Sequence, residues 1–258
     1  MFTLHDFFTN GFIGKYFLSN TEDKTAMTLM IIGAAVIMIA AYLLGSINFA
    51  IIISSKEYKQ DIREFGSKNA GMTNMMRTYG KKAAGLTLLG DALKAVFSCL
   101  IGYALLGQLG AYIAGLFCIL GHVFPIYYRF KGGKGVVTAA VTVLMCDPFV
   151  FLILFTIFVI IVLGTKYISL GSVMCMLLYP IVLDSTTKLA TKFGFGEEST
   201  SPYIIFTVLM AIIIVAKHWT NIKRLMNGTE SKFSFKKSVK TAKAEDTEAN
   251  EDSKNDKQ

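Results

Sequence analysis

The sequence predicts an all-α integral membrane protein with seven transmembrane helices, its N-terminus outside and its C-terminus cytoplasmic. Three observations predict it. Of the 258 residues 53% are hydrophobic, 20 are Phe, and the mean hydropathy is +0.51, too apolar for a soluble domain of this size. Apolar runs recur near the length that carries a helix across hydrocarbon, about twenty residues for about 30 Å. Lys and Arg gather in alternate connections, as the positive-inside rule requires.

Taken in order, residues 1–26 lack the basic start and small-residue cleavage site of a signal peptide. Phe8, Phe12 and Tyr16, four residues apart, predict an amphipathic segment lying on the membrane surface. The spans fall near 27–54, 83–106, 110–128, 135–147, 148–165, 168–186 and 201–217. The fourth and the seventh are short, and the fourth ends at Asp147 and Pro148; burial in the bundle or a thinned bilayer has to make up the difference. Lys56, Lys59, Arg63, Lys68, Arg77, Lys81 and Lys82 occupy the first inside connection. Arg129, Lys131 and Lys134 occupy the next, Lys166 the third, and Lys217, Lys223 and Arg224 follow the last span. The alternate connections, near 106–110, at Asp147 and over 187–200, are neutral or of mixed sign. Residues 27–230 thus form one helical domain. Despite a net charge of +8, the last twenty residues lean acidic, and residues 231–258 read as a charged, disordered cytoplasmic tail.

Cys99, Cys118, Cys146 and Cys175 stand singly in apolar runs without metal-ligand spacing, so they read as small buried hydrophobes, with neither disulfide framework nor metal site. The polar chemistry lies elsewhere. Four glycine-rich, polar and basic segments, 65–80, 129–138, 165–172 and 217–230, all fall on the inside face. Such clustering suits a site at the membrane surface, whereas a channel would spread polar residues through its depth.

In the first segment, "FGSKNAGMTN" supplies many small donors. Thr73, Asn74 and Arg77 share a helical face if the turn ends at Gly80, and a guanidinium fork beside hydroxyl and amide donors fits a phosphate. A solvated turn with a positive-inside arginine explains the same residues. In the second, Gly132, Gly133 and Gly135 surround Lys134 directly before an apolar helix, which places backbone N–H groups, a positive helix end and an ammonium together. The alternative is a glycine hinge with a flanking lysine. The pattern is not a Walker A loop, so it gives no sign of nucleotide.

His122 lies in an apolar stretch, where a histidine is either functional or packed against a carbonyl. Ser169 and Ser172 stand one turn apart at a helix start, the usual place of a cap. His218 and Asn221, at i and i+3, face one way, and a histidine with an amide partner can accept a hydroxyl proton; "KHW" is otherwise an interfacial anchor. Asp91 and Lys94 read as a structural pair inside the second span.

The stretches "YLLGSINFA", "REFGSKNAGMTNMMRTYGKKAAG", "LGDALK", "LGHVFPIYYRFKGGKGVVTA", "YISLGS" and "KHWTNIKRLMNGTE" carry a resemblance. Their order and spacing resemble those of the bacterial acyl-phosphate:glycerol-3-phosphate acyltransferases, the PlsY family, from about residue 38 to 230. The resemblance implies a seven-helix enzyme moving a fatty acyl group from acyl phosphate to the sn-1 hydroxyl of glycerol 3-phosphate, without acyl-CoA, metal or other cofactor. It implies phosphate-binding roles for Ser67, Arg77 and Lys134, with Asn69, Thr73 and Asn74 beside them. Gly132, Gly133 and His122 join this substrate-binding set, and Ser172, His218 and Asn221 match positions in the same site, here assigned to catalysis. Glu230 reads as a structural acid. The chain departs from the family at Lys68, usually Gly, at Met72, usually Ala, at Asn48, often Pro, and at Trp219, often Arg. The expected partners are the two substrates and the lipid bilayer, with neither nucleic acid nor a protein partner indicated.

Two rivals carry their own sequence requirements. A CoA-dependent acyltransferase needs HxxxxD, and none of His5, His122 or His218 has Asp at that spacing. A transporter of organic phosphates needs inverted repeats or broken helices at the midplane, of which Pro180 and the Asp91/Lys94 pair are the nearest features.

Overall fold

The computed structural model describes residues 3–19, 24–195, 201 and 203–233, and every regular element among them is helical. Residues 234–258 of the expected tail lie outside the described residues. Two short helices open the chain, α1 (Leu4–Thr9) and α2 (Gly11–Ser19). A capping box starts α1, with Thr3 Oγ1 accepting from Asp6 N–H and the Asp6 carboxylate accepting from Thr3 N–H. Asn10 separates the two helices, and Gly11, at φ +67°, opens the second.

The first long helix, α3 (Lys24–Ser46), stops short of the expected end at 54. The reason is Asn48, whose side-chain oxygen accepts from Ile51 N–H at 3.1 Å and restarts the chain as α4 (Phe49–Tyr58). After a 3-10 turn at Ile62–Glu64 come α5 (Met72–Tyr79) and α6 (Lys81–Val123). Helix α6 folds back on itself at Leu106 and Gly107, the latter at φ +57°. Two contacts establish the reversal. A Cβ on Gly102 would lie 2.2 Å from the Gly110 oxygen, and Lys94 Nζ is 2.8 Å from His122, residues that a straight helix would hold about 42 Å apart. The two arms match the expected helices at 83–106 and 110–128, although the second ends at Val123, ahead of Pro125.

Next come α7 (Val136–Cys146), eleven residues long, and α8 (Pro148–Thr165), which begins on proline, a residue suited to a first helical turn. Helix α9 (Ile168–Lys192) carries Pro180 and runs beyond the expected 186. The last two, α10 (Ile204–Lys217) and α11 (Trp219–Met226), meet at His218 with a bend of 60°. Four stretches among the described residues are long and apolar enough to cross a membrane: Lys24–Tyr58, the folded-back Lys81–Tyr128, Pro148–Thr165 and Ile168–Lys192. The bent α10–α11 pair makes a fifth when taken as one span.

Small residues set the packing. Gly45 of α3 lies against the backbone of Cys118, and Gly121 against the carbonyl of Tyr42, each too close for a Cβ, so α3 and the second arm of α6 approach backbone to backbone. Tyr112, Ile119, Tyr179, Met210 and Ile214 fill the core between α6, α9 and α10. Helix α8 turns Phe149, Leu152, Phe155, Ile160 and Leu163 outward, a surface that hydrocarbon accommodates and water does not.

The end of the bundle near 106–107 is closed by polar groups that satisfy one another. Tyr112 and Tyr179 both donate to the Asp147 carboxylate, the latter at 3.0 Å, and Tyr103 donates to the Met145 carbonyl at 2.7 Å. Helices α1 and α2 sit over this end: Gly11 presses on the 105–107 turn, and Phe7 and Phe8 pack on Tyr103. Leu4, Phe8, Phe12 and Tyr16 remain exposed.

Candidate active site

At the opposite end the four polar segments converge. Arg63 holds Asp61 through its guanidinium and donates to the carbonyls of Tyr128 and Lys131, both at 3.1 Å, so the 3-10 turn leading into the first segment clamps the second. The ion pair lowers the Asp61 pKa, with the Arg63 hydrogen bonds outweighing burial. Gly133 lies where the segments touch, because a Cβ there would sit 2.5 Å from the Ala70 oxygen and 2.2 Å from His122 Nε2. The fourth segment reaches the second through Lys134, which donates to Asn221 Oδ1. It reaches the third through Glu230, which accepts from Ser169 at 2.8 Å, and through Phe233 N–H, which donates to the Lys166 carbonyl at 2.7 Å.

These contacts leave a cleft of about 360 Å³. Ser67, Lys68 and Asn69 line one side, Gly132 and Lys134 the floor, and Lys217, Trp219 and Arg224 the other side. The N–H groups of Gly132, Lys134 and Gly135 find no acceptor among the described residues, which leaves donors beside the lysine in the manner of an anion cradle. Burial pushes the Lys134 pKa down to about 8, with Glu230 opposing and Arg224, Arg77 and Lys217 adding to the fall. One carboxylate therefore faces several cations, and an incoming anion relieves the excess.

Glu230 is tied into this field. It accepts from Asn221 Nδ2 at 2.6 Å and from Arg224 Nε at 2.7 Å, and with Ser169 these bonds outweigh burial and hold its pKa below the usual carboxylate range. Lys134, Asn221, Glu230 and Arg224 form one continuous chain of hydrogen bonds. His218, buried at the α10–α11 bend, has Nδ1 2.8 Å from the Ile214 carbonyl. A carbonyl can only accept, so Nδ1 carries the proton and Nε2 keeps its lone pair. Burial lowers the His218 pKa to about 4, against the bond to Ile214.

Ser67, Asn69, Gly132 and Lys134 line the cleft, Asn221 holds Lys134, and His218 lies within the electrostatic reach of both Lys134 and Glu230. Thr73 and Arg77 lie on α5 outside the lining of the cleft, Arg77 exposed yet near enough to help lower the Lys134 pKa. Three others take supporting positions instead of the expected substrate-facing ones. The Asn74 amide is occupied by the loop backbone, accepting from Ser67 N–H and donating to the carbonyls of Ile62 and Phe65. Ser172 donates to the Ile168 carbonyl of its own helix at 2.9 Å. His122 is buried behind Gly133.

Sequence reasoning passed over Arg224 and Lys217 as generic inside charges and Ser169 as a cap. Arg224 stands three residues after Asn221, a helical spacing that could have flagged it. Nothing local signals its pairing with Glu230, which depends on the turn at Gly228, at φ +69°. Trp219 replaces a cation that the family resemblance led us to expect, and Lys68, Lys217 and Arg224 supply charge along the same cleft.

Residues 35–228 match the profile of the family described as glycerol-3-phosphate acyltransferase. The chain belongs to that family. A glycerol-3-phosphate acyltransferase of Finegoldia magna is 41% identical over 194 residues, covering 75% of this chain and 93% of the other. Among solved structures, PlsY, described as an integral membrane glycerol 3-phosphate acyltransferase, aligns in its glycerol 3-phosphate form with a TM-score of 0.67. It is 33% identical and covers 78% of this chain and 96% of its own. Its lysophosphatidic acid form aligns with a TM-score of 0.65. This chain is thus an integral membrane member of the glycerol-3-phosphate acyltransferase family, and α1 and α2 precede the matched region.

Proposed function

We propose that this protein transfers a fatty acyl group from acyl phosphate to the sn-1 hydroxyl of glycerol 3-phosphate, releasing lysophosphatidate and inorganic phosphate. The observation that carries the reading is the convergence of Lys68, Lys134, Lys217 and Arg224 in one cleft beside free backbone N–H groups, with Arg77 near enough to act on Lys134. Both substrates bear phosphate, so a site for the pair needs several cations and donors, and these count more in a partly desolvated cleft than in water.

A second feature supports the lipid half of the reaction. Ala216 lines the polar cleft and also an apolar groove of about 420 Å³ between α9 and α10, whose walls include Leu177, Pro180, Val208 and Ile212. An acyl chain in this groove would place its phosphate head among the cations. Ser67, Asn69, Gly132 and Lys134 then bind phosphate, with Arg77 and Thr73 at the rim and Asn74, Gly133 and His122 behind them. Asn221 orients Lys134, and Ser172 supports the helix that carries Ser169.

In the transfer, the glycerol oxygen bonds to the acyl carbonyl carbon, the bond from that carbon to the phosphate oxygen breaks, and the hydroxyl proton leaves. The mixed anhydride is already activated, so holding the two phosphates side by side supplies much of the rate. His218 is the candidate proton acceptor through Nε2, since a bound phosphate raises its basicity. Its pKa of about 4 favours a second route, in which a donor phosphate oxygen takes the proton and His218 only accepts a hydrogen bond.

The reading also proposes topology. Helix α3, the two arms of α6, then α7, α8, α9 and α10 make seven passes, with the site on the cytoplasmic face and the N-terminus outside. Helices α1 and α2 then lie on the opposite membrane surface with Leu4, Phe8 and Phe12 toward lipid.

The test is phosphate release by purified protein supplied with palmitoyl phosphate and glycerol 3-phosphate, with EDTA present, beside Lys134→Ala. Release should need both substrates, survive EDTA and fall at least a hundredfold in the variant. Equal turnover with palmitoyl-CoA, read as free CoA, would replace the donor assignment, and silence from folded protein would return the chain to the transporter reading.

A further inference from the structure

Lys94 has no part in the mechanism above, yet it is among the most enclosed groups in the protein. Its side chain is 2% exposed, as is that of Asp91, 2.9 Å away. The ammonium also donates to the Gly45 carbonyl at 3.0 Å and the Ile47 carbonyl at 2.7 Å, and lies 2.8 Å from His122 Nδ1. It therefore joins the end of α3 to both arms of the α6 hairpin. A buried ion pair is poor evidence for stability by itself, since an apolar replacement of the same volume often serves as well. What this one touches is more informative.

Two lines run from it to the anion cleft. His122 Nδ1 lies 2.8 Å from the ammonium and 3.5 Å from Asp91 Oδ1; an ammonium has donors only, so the shorter contact makes Nδ1 the acceptor and puts the ring proton on Nε2. That nitrogen lies under Gly133, 2.2 Å from where a Cβ would stand, and the His122 carbonyl accepts from Gly133 N–H at 3.1 Å. The second line leaves through Ile47 to the adjoining Asn48, whose amide donates to the Ala70 carbonyl at 3.4 Å. The oxygen of Ala70 presses on the same Gly133 from the other loop. Both lines end on the residue before Lys134.

We infer that Lys94, through the His122 tautomer it imposes and the α3 end it holds, is the common positioning residue of the two phosphate-binding loops. Asp91 keeps the ammonium in place, and His122 Nε2–H supports Gly133, so that the Gly132–Lys134 backbone and the Ser67–Asn69 turn keep one spacing. The role rests on the anion-site reading of the cleft, though not on which acyl donor is used.

The deciding pair is His122→Asn against His122→Gln. Asparagine places a polar atom near the Nδ1 position and leaves nothing under Gly133; glutamine can place an N–H near the Nε2 position. Both are read by inorganic phosphate binding in calorimetry, by KM and kcat for glycerol 3-phosphate, and by thermal midpoint. The expected result is equal midpoints, phosphate binding within about threefold of wild type in His122→Gln, and a loss of tenfold or more in His122→Asn that falls on KM more than kcat. The double variant Asp91→Asn/Lys94→Met, which removes both charges together, should fold and show the same KM loss. Wild-type phosphate binding in folded His122→Asn or in the folded double variant would overturn the assignment. Wild-type protein that binds phosphate yet transfers no acyl group would overturn the enzymatic reading and leave this one standing; failure to bind phosphate would overturn both.

Discussion

The two ends of the helical bundle both bury polar groups, and they do so to opposite ends. Near 106–107, the Asp147 carboxylate meets two phenol donors, and burial raises its pKa against the Tyr112 and Tyr179 hydrogen bonds that lower it. Around Lys134, the nearby cations outnumber the one carboxylate, Glu230, and backbone donors stay open. The first arrangement is complete without a ligand. The second carries surplus cations and open donors that an anion would satisfy, so the closed end and the proposed binding end differ in charge accounting although both are polar and partly dry.

The largest test of that contrast is Gly133→Ala. Its Cβ would fall 2.2 Å from His122 Nε2 and 2.5 Å from the Ala70 carbonyl, so one loop has to move, and turnover should fall about a hundredfold or more, consistent with the sensitivity of positioned groups to 1 Å shifts. Steady-state kinetics on folded protein checks it; normal turnover would mean that the loop spacing is not set here. A pH titration sharpens the same point. The Lys134 pKa lies near 8, so its charge is full below that value and lost as pH rises through it. Phosphate affinity should therefore weaken about tenfold from pH 7 to 9 at constant ionic strength, by calorimetry with Lys134→Ala as the flat control.

Asp147→Asn probes the closed end. It replaces the charged oxygen that accepts from both phenols with a neutral amide, a loss of about 1–3 kcal/mol, visible as a lower thermal midpoint. Kinetics per folded molecule should stay within about twofold, and a KM change would show that the ends communicate. The smallest effect belongs to Lys68→Gly. Lys68 holds φ +58°, a conformation that glycine adopts freely, and its ammonium has no partner among the described residues. We expect unchanged or slightly higher stability, within about 1 kcal/mol, with a KM for glycerol 3-phosphate two- to fivefold higher. An unchanged KM would reduce Lys68 to a surface charge.

Hydropathy and charge are local, additive properties, so they were legible along the chain. The apolar runs marked α3, α8 and α9, the cysteines fell in apolar surroundings, and four polar segments stood out that the fold gathers at one end. Side-chain direction was not legible at that level. The spacing of Thr73, Asn74 and Arg77 placed them on one helical face, but Asn74 turns to its own loop because three backbone groups there would otherwise lack partners. Ser172 looked like Ser169 in sequence, and one bonds its own helix while the other reaches Glu230.

The sequence by itself determined the membrane-compatible composition, the approximate helices and the family motifs, because burial preference and net charge belong to residue types. Tertiary structure alone decided that α3 breaks at Asn48, that Lys94 links three helical segments, and that Lys134, Asn221, Glu230 and Arg224 form one chain. Those features depend on contacts between residues tens of positions apart, where the packing of glycine against backbone chooses which of several polar groups faces the cleft and which is sealed behind it.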